Sequence, residues 1–131
     1  MQTIKFNRLN LSNEDFLLDM GCGEGRHSIG AHISTEANIL GFDLSFKDLK
    51  IAKERLNDFD TSQIETICQF ASANIISIPL SDSSLDAVIC SEVLEHVDSP
   101  EESIKELIRV LKPGGVLALS VPRYLPELIC W

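Results

Sequence analysis

The stretch Asp19-Met20-Gly21-Cys22-Gly23-Glu24-Gly25 constrains this chain more than any other. Glycine at every second position weakens a helix or a strand, so the stretch reads as a turn. It follows a short apolar run, Phe16-Leu17-Leu18-Asp19-Met20, which reads as a buried strand. It precedes residues 24–34, where Ile29 and Ile33 lie four apart and predict one face of a helix. A turn between a strand and a helix is where a nucleotide-like ligand needs glycines. Without a Cβ the backbone turns tightly and comes close to the ligand.

The same alternation continues. Asn38-Ile39-Leu40-Gly41-Phe42-Asp43 predicts a second strand, and Ser45 a helix N-cap. Over residues 46–59, Phe46, Leu49, Ala52, Leu56 and Phe59 form an apolar stripe opposite Lys47, Lys50, Lys53 and Glu54. A weaker third strand is expected over residues 66–71, a turn at Ser81-Asp82-Ser83-Ser84, and a fourth strand over residues 85–90. Residues 91–97 predict a short helix. Ser99-Pro100-Glu101-Glu102 starts another, with Ile104, Leu107, Ile108 and Leu111 on its apolar face. Lys112-Pro113-Gly114-Gly115 reads as a turn, residues 116–121 as a fifth strand, and Pro122 and Pro126 break regular structure. Five strands joined by about four helices imply one α/β domain, a doubly wound, mostly parallel sheet with its ligand crevice beyond the strand C-termini.

Composition narrows the partners. The 131 residues carry 11 Lys and Arg against 20 Asp and Glu, a formal charge of −9. That argues against nucleic acid and against an anionic membrane surface, both of which need clustered cations. Cys22, Cys68, Cys90 and Cys130 are spaced 46, 22 and 40 apart, and with His27, His32 and His96 they complete no zinc pattern. No metal is expected. Free thiols and the lack of a signal-peptide layout in the first residues predict a cytoplasmic location. His27 and His32 read as surface or helix-face residues.

The loop also discriminates among ligands. Asp43 ends the second strand 18 residues after Gly25, where a carboxylate can accept both hydroxyls of a ribose. In a nicotinamide fingerprint the third glycine falls one residue later, where this chain has Arg26. Asp19 puts a carboxylate before the loop, which suits an ammonium or sulfonium better than a pyrophosphate. No Gly-Lys-Ser/Thr follows, so a P-loop is excluded.

Residues 18–25 resemble the first motif of class I S-adenosylmethionine-dependent methyltransferases, and Gly41-Phe42-Asp43-Leu44-Ser45 resembles the second. Residues 74–79 with Ser84-Leu85-Asp86-Ala87-Val88 are similar to a stretch of the small-molecule, ubiquinone-biosynthesis-like branch. Ser91-Glu92-Val93-Leu94-Glu95-His96-Val97 and Leu111-Lys112-Pro113-Gly114-Gly115 are two further signatures, in the expected order. The resemblance spans about residues 15–121 and implies a Rossmann-like fold. It implies that Asp19, Gly21, Cys22, Gly23 and Gly25 form the loop around the methionine moiety. Asp43 would take the ribose, Leu44 pack on adenine, Ile75 offer its backbone N–H to the ring, and Ser91 meet the methionine end. Asn74 stands where the family usually has Asp; it keeps an acceptor, adds a donor and loses the charge.

The implied activity is transfer of a methyl group to a small-molecule acceptor by in-line displacement, leaving S-adenosyl-L-homocysteine. Alignment and desolvation supply most of such catalysis, and a base is needed only where the acceptor loses a proton. Glu95 and His96 are weak candidates for that base; Glu92 shares a helical face with Glu95 at i, i+3. Asn74 and the short length favour a rival, a non-catalytic S-adenosylmethionine-binding module or inactive fragment. Arg26 and Asp19 disfavour a second, an NAD-dependent oxidoreductase. The family continues past the fifth strand with further helix and strands. This chain is therefore expected to be C-terminally incomplete, with its apolar end, residues 124–131, an interruption and its fifth-strand edge open to pairing with another copy as a homodimer.

Overall fold

In the computed structural model, residues 6–91 and 93–120 are described. Five strands, β1 (Phe16–Met20), β2 (Asn38–Asp43), β3 (Cys68–Ser72), β4 (Leu85–Ser91) and β5 (Leu111–Ser120), form one sheet in the order β3-β2-β1-β4-β5, every pair parallel. The chain winds outward from β1 through β2 to β3, then crosses back to build β4 and β5 on the other side. That reversal makes the sheet doubly wound and leaves a crevice beyond the C-terminal ends of β1 and β4. Helices α1 (Arg26–Thr35), α2 (Phe46–Asn57) and α3 (Pro100–Val110) make three of the four crossovers, the one from β3 to β4 having no helix where about four helices were expected, and a single 3-10 turn, Phe6–Leu9, precedes β1. None of these helices is long and apolar enough to cross a membrane.

The central strands explain the core. Leu17, Leu18, Ile39, Val88 and Ile89 are fully enclosed, because β1, β2 and β4 are covered on both faces. One face holds Leu18, Met20, Phe42, Val88 and Cys90 against Ile104, Leu107 and Val110 of α3. The other holds Leu17, Ile39, Ala87 and Ile89 against Ala31 of α1 and Phe6 and Leu9 of the first turn. Ser45 caps α2 as its type predicts, accepting from Asp48 N–H at 3.2 Å.

Several expectations are corrected. The third strand runs over Cys68–Ser72, displaced toward its C-terminal side, with register Ile39 to Cys68 and Asp43 to Ser72. Residues 112–115 are not a separate turn: β5 starts at Leu111, directly after α3. Leu85 pairs with Leu111 and Ala87 with Val116, so Lys112 to Gly115 bulge opposite Asp86 alone. Gly114, at φ +82°, absorbs the bulge, and Lys112 Nζ donates to Asp86 Oδ1 at 3.1 Å. Ser91 ends β4 instead of opening a helix, and only Leu94–His96 forms a 3-10 turn. On α2 the buried residues are Leu49 and Ala52; Phe46, its first residue, and Phe59, two residues past its end, are exposed. Ile33 is exposed as well, because α1 buries the His27, Ser28, Ile29, Ala31 and His32 side instead. His27 and His32 are therefore core residues. His32 Nδ1 lies 3.2 Å from Ala37 O, and the His27 ring meets Phe6 edge-on at 6.3 Å. The turn Phe6–Leu9 covers this side of α1, which is why a helix-face histidine becomes buried. The strand end at Val121, the breaks at Pro122 and Pro126, and the apolar end, residues 124–131, lie outside the described residues.

Gly41, in the middle of β2, lets α1 and β3 close on the sheet. A Cβ there would lie 2.6 Å from Phe70 Cδ1 and 2.9 Å from Ser28 Oγ. Overpacking of this kind costs about 1–3 kcal/mol. Gly41→Ala is expected to lower the unfolding free energy by that amount, read as a lower urea midpoint at an unchanged denaturant slope; an unaltered midpoint would show that the neighbours move aside freely.

Candidate functional site

A cavity of about 720 Å³ opens at the reversal point of the sheet. That volume is in the range of small-molecule and cofactor sites. Its wall takes Met20, Gly21 and Cys22 from the first loop, Asp43 and Leu44 from the end of β2, and Asn74 and Ile75 from the turn after β3. Ser91, Val93 and His96 close it from the end of β4. The topology thus brings four separated segments to one place.

The glycine loop is shaped by backbone bonds. Gly21 N–H and Cys22 N–H both donate to Phe42 O, at 2.7 and 2.9 Å, and Gly25 N–H donates to Cys22 O at 2.9 Å. Gly21 and Gly25 have φ values of +77° and +86°, which L side chains rarely adopt. Space enforces the same choice. A Cβ on Gly21 would collide with Val93, and one on Gly25 would lie 2.9 Å from Ala52 Cβ.

Asp43 holds the loop to the next corner. Its Oδ2 accepts from Gly23 N–H at 2.8 Å and its Oδ1 from Ser45 N–H at 2.9 Å. A carboxylate has about four lone-pair sites, so both oxygens keep acceptor capacity toward the cavity. Leu44, next in sequence, is 64% exposed on the cavity wall. An apolar side chain left in water beside a cavity is a ready platform for a flat ligand.

Asp19 sits beneath the loop and not on the wall. It is 2% exposed, and its Oδ2 accepts from Ser28 Oγ at 2.7 Å. Burial pushes its carboxyl up to about 6; Ser28 opposes this, nearby Asp43 adds to it, and Arg26 lowers it slightly. Gly23 and Gly25 likewise shape the loop from behind the wall. Burial also raises the Cys22 thiol, and pushes those of Cys68 and Cys90 up to about 12, so these three free cysteines are poor nucleophiles.

Beyond β3, Asn74 shapes its own turn. Asn74 Oδ1 accepts from Ile76 N–H at 3.1 Å, and Asn74 O from Ser77 N–H at 3.0 Å. One lone pair of its amide oxygen is thus used by the turn. Glu95 Oε1 lies 3.8 Å from His96 Nε2, while Glu95 Oε2 is buried with no hydrogen-bond partner among the described residues. Glu92 lies outside the described residues. Among the described residues no three His, Cys, Asp or Glu side chains converge as a metal site would need. Sequence reasoning missed Glu24, Arg26, His27, Arg55, Val93 and Asp98, which also line the cavity. For Arg26 and His27 the signal was present, since they open the helix that the glycine loop starts. Arg55 carried none, lying two turns into α2.

Comparison with known proteins fits this architecture. A family model described as a methyltransferase domain matches residues 18–119. Methyltransferase GfsG of Streptomyces halstedii is 30% identical over 115 residues, 88% of this chain and 40% of that protein. The 27-O-demethylrifamycin SV methyltransferase of Amycolatopsis mediterranei is 33% identical over 112 residues, 86% of this chain and 40% of its own length. Among solved structures, the cyclase SpnF superposes with a TM-score of 0.77 at 29% identity, covering 86% of this chain and 40% of that one. The chain thus spans less than half the length of these relatives.

The buried Asp19 gives a pH-dependent signature. Its native pKa stands above the ordinary carboxylate value of 3.8, so its ionisation opposes folding as pH rises from about 4 through about 6. Asn keeps the acceptor for Ser28 without the charge. Asp19→Asn is expected to be more stable than the parent by roughly 2–3 kcal/mol at neutral pH. The gap should close as pH falls toward 4; urea titrations at several pH values that give a constant gap would refute this.

Proposed function

The chain belongs to the methyltransferase domain family of class I, S-adenosylmethionine-dependent enzymes, and from this we propose that its cavity binds S-adenosylmethionine and presents the methyl group to a small-molecule acceptor. The observation that carries the reading is the convergence of Gly21, Asp43, Asn74 and Ser91 from four segments on one cavity. Asp43 would take the ribose hydroxyls with the acceptor capacity left on its two oxygens. Leu44 and Ile75 would enclose the base, and Gly21 with the backbone at Ser91 the methionine end. Asp19, below the loop, adds negative potential under a cationic ligand.

The bound sulfonium supplies an already activated leaving group. The protein's part is to hold donor and acceptor in line and to keep water out, which is worth roughly 7–11 kcal/mol when the reacting atoms are aligned. For an acceptor that must lose a proton, His96 on the wall is the base, with Glu95 behind it. A small-molecule acceptor agrees with the net charge of −9 and with the rifamycin-modifying relative. A second reading, ligand binding without methyl transfer, draws on the cyclase relative and on Asn74 in place of the usual Asp.

Calorimetric titration separates these readings. The protein is expected to bind S-adenosylhomocysteine and not NAD; the reverse pattern would falsify the assignment. Asp43→Ala should weaken S-adenosylhomocysteine by more than about tenfold, the worth of a charge-assisted hydrogen bond. Asn74 Oδ1 gives one lone pair to Ile76 N–H, so the amide presents one remaining lone pair and an NH2 donor to the base edge. Asn74→Asp replaces that NH2 by a second oxygen that accepts only, which matches the adenine amino group. It should tighten binding by about three- to tenfold, roughly one neutral hydrogen bond, and an equal or weaker affinity would rule out this edge-on contact.

A further inference from the structure

The turn that brings Asn74, Ile75 and Ile76 to the cavity has little support from the sheet. The chain leaves β3 at Ser72 and rejoins at Leu85. Its near end is closed by the two Asn74 bonds already described. Its far end is held from α3 by two side chains. Glu106 Oε2 accepts from Ile78 N–H at 2.7 Å, and Arg109 Nη2 donates to Ile78 O at 2.9 Å. The pair therefore satisfies both backbone groups of Ile78, as a neighbouring strand would. Arg109 Nη1 reaches further along the segment, donating to Leu80 O at 2.9 Å and to Asp82 Oδ1 at 2.7 Å. The two side chains fix each other: Arg109 Nε donates to Glu106 Oε1 at 2.6 Å, and Nη2 to Glu106 Oε2 at 2.9 Å.

Side chains in a double-fork pair have one mutual geometry, which a lysine cannot reproduce. They also stand on a helix whose Ile104, Leu107 and Val110 are buried in the core, so the anchor point is rigid. Ile75 and Ile78, either side of the turn's apex, are buried in that same core cluster. A shift at Ile78 is carried over three residues to Ile75.

We propose that Glu106 and Arg109 are positioning residues that set the base end of the cavity, holding the Asn74–Ile76 turn at the height where it discriminates among purines. This deepens, and rests on, the reading of the cavity as an S-adenosylmethionine site. Neither residue touches the cavity. Their action is on the backbone that does.

The test uses the full chain, titrated with S-adenosylhomocysteine and with S-inosylhomocysteine, which differ only at the base edge. Parent, Arg109→Lys and Glu106→Gln are compared, with melting temperature followed in parallel. Arg109→Lys is expected to weaken S-adenosylhomocysteine at least fivefold and to shift the ratio of the two affinities at least threefold toward one. Retained charge does not rescue it, because the fork is lost. Glu106→Gln keeps one acceptor oxygen for three donors and should move the ratio the same way; it decides the matter if Arg109→Lys does not fold. Equal loss for both ligands, tracking the melting temperature, would show a purely structural pair and overturn the proposal, as would unchanged binding. A parent protein that binds neither ligand instead overturns the cofactor reading itself, and with it a recognition role for the pair.

Discussion

The Asp43 carboxylate is the interaction on which the rest of the site depends. One oxygen accepts from Gly23 in the first loop and the other from Ser45 at the start of α2. Those two N–H groups belong to crossovers that leave neighbouring strands in sequence-distant places. Without the carboxylate, the loop would keep its bonds to Phe42 O, its own internal bond and the contact from Arg55 Nη1 to Glu24 O. A group that joins two loops through both oxygens fixes direction as well as distance, and still has lone pairs to spare. The site is thus partly assembled before any ligand arrives, the condition under which binding energy is not spent on ordering the protein.

Burial of Asp19 is the counterweight. A carboxylate enclosed beside a second carboxylate is unfavourable in the empty protein. Placing it below the glycine loop uses stability to create negative potential where a cationic ligand would lie. Local rules are most often broken where a site needs something that the fold does not, and the stacking of Asp19 under Asp43 is such a place.

Much of this was legible in the chain. The glycine loop, β1, β2 and β4 and the Ser45 cap follow from turn chemistry, apolar runs and capping preference, because each is a local property. On the cavity wall, Gly21 and Asp43 follow from the glycine turn and the strand end, whereas Leu44, Asn74, Ile75 and Ser91 rest only on the family resemblance, because nothing local in the chain marks them. What stayed hidden is tertiary. Burial of His27 and His32 depends on Phe6 and Leu9 folding back over α1, and no periodicity within α1 reports that. Phe46 reads as a core residue by spacing and is 77% exposed at the first position of α2. The Leu111–Gly115 stretch has the composition of a turn, yet Asp86 turns it into a bulge by taking both Phe16 N–H and Lys112 Nζ. Glu106 and Arg109 look like an ordinary surface pair at i, i+3. Their partners lie about thirty residues upstream.

The all-parallel order of the sheet has a consequence for the order of events in the life of the chain. No two strands here can pair through a tight hairpin, and each pairing waits for a crossover to be laid down. Such topologies are rich in long-range contacts and fold slowly. The cavity wall runs from Met20 to Ser99 and closes over the reversal between β1 and β4. A growing polypeptide that has produced β1, α1 and β2 already owns the glycine loop and Asp43 but has no cavity. The pocket needs β4 and the residues after it as far as Ser99, so ligand occupancy reports docking of the second half of the winding rather than formation of the first unit.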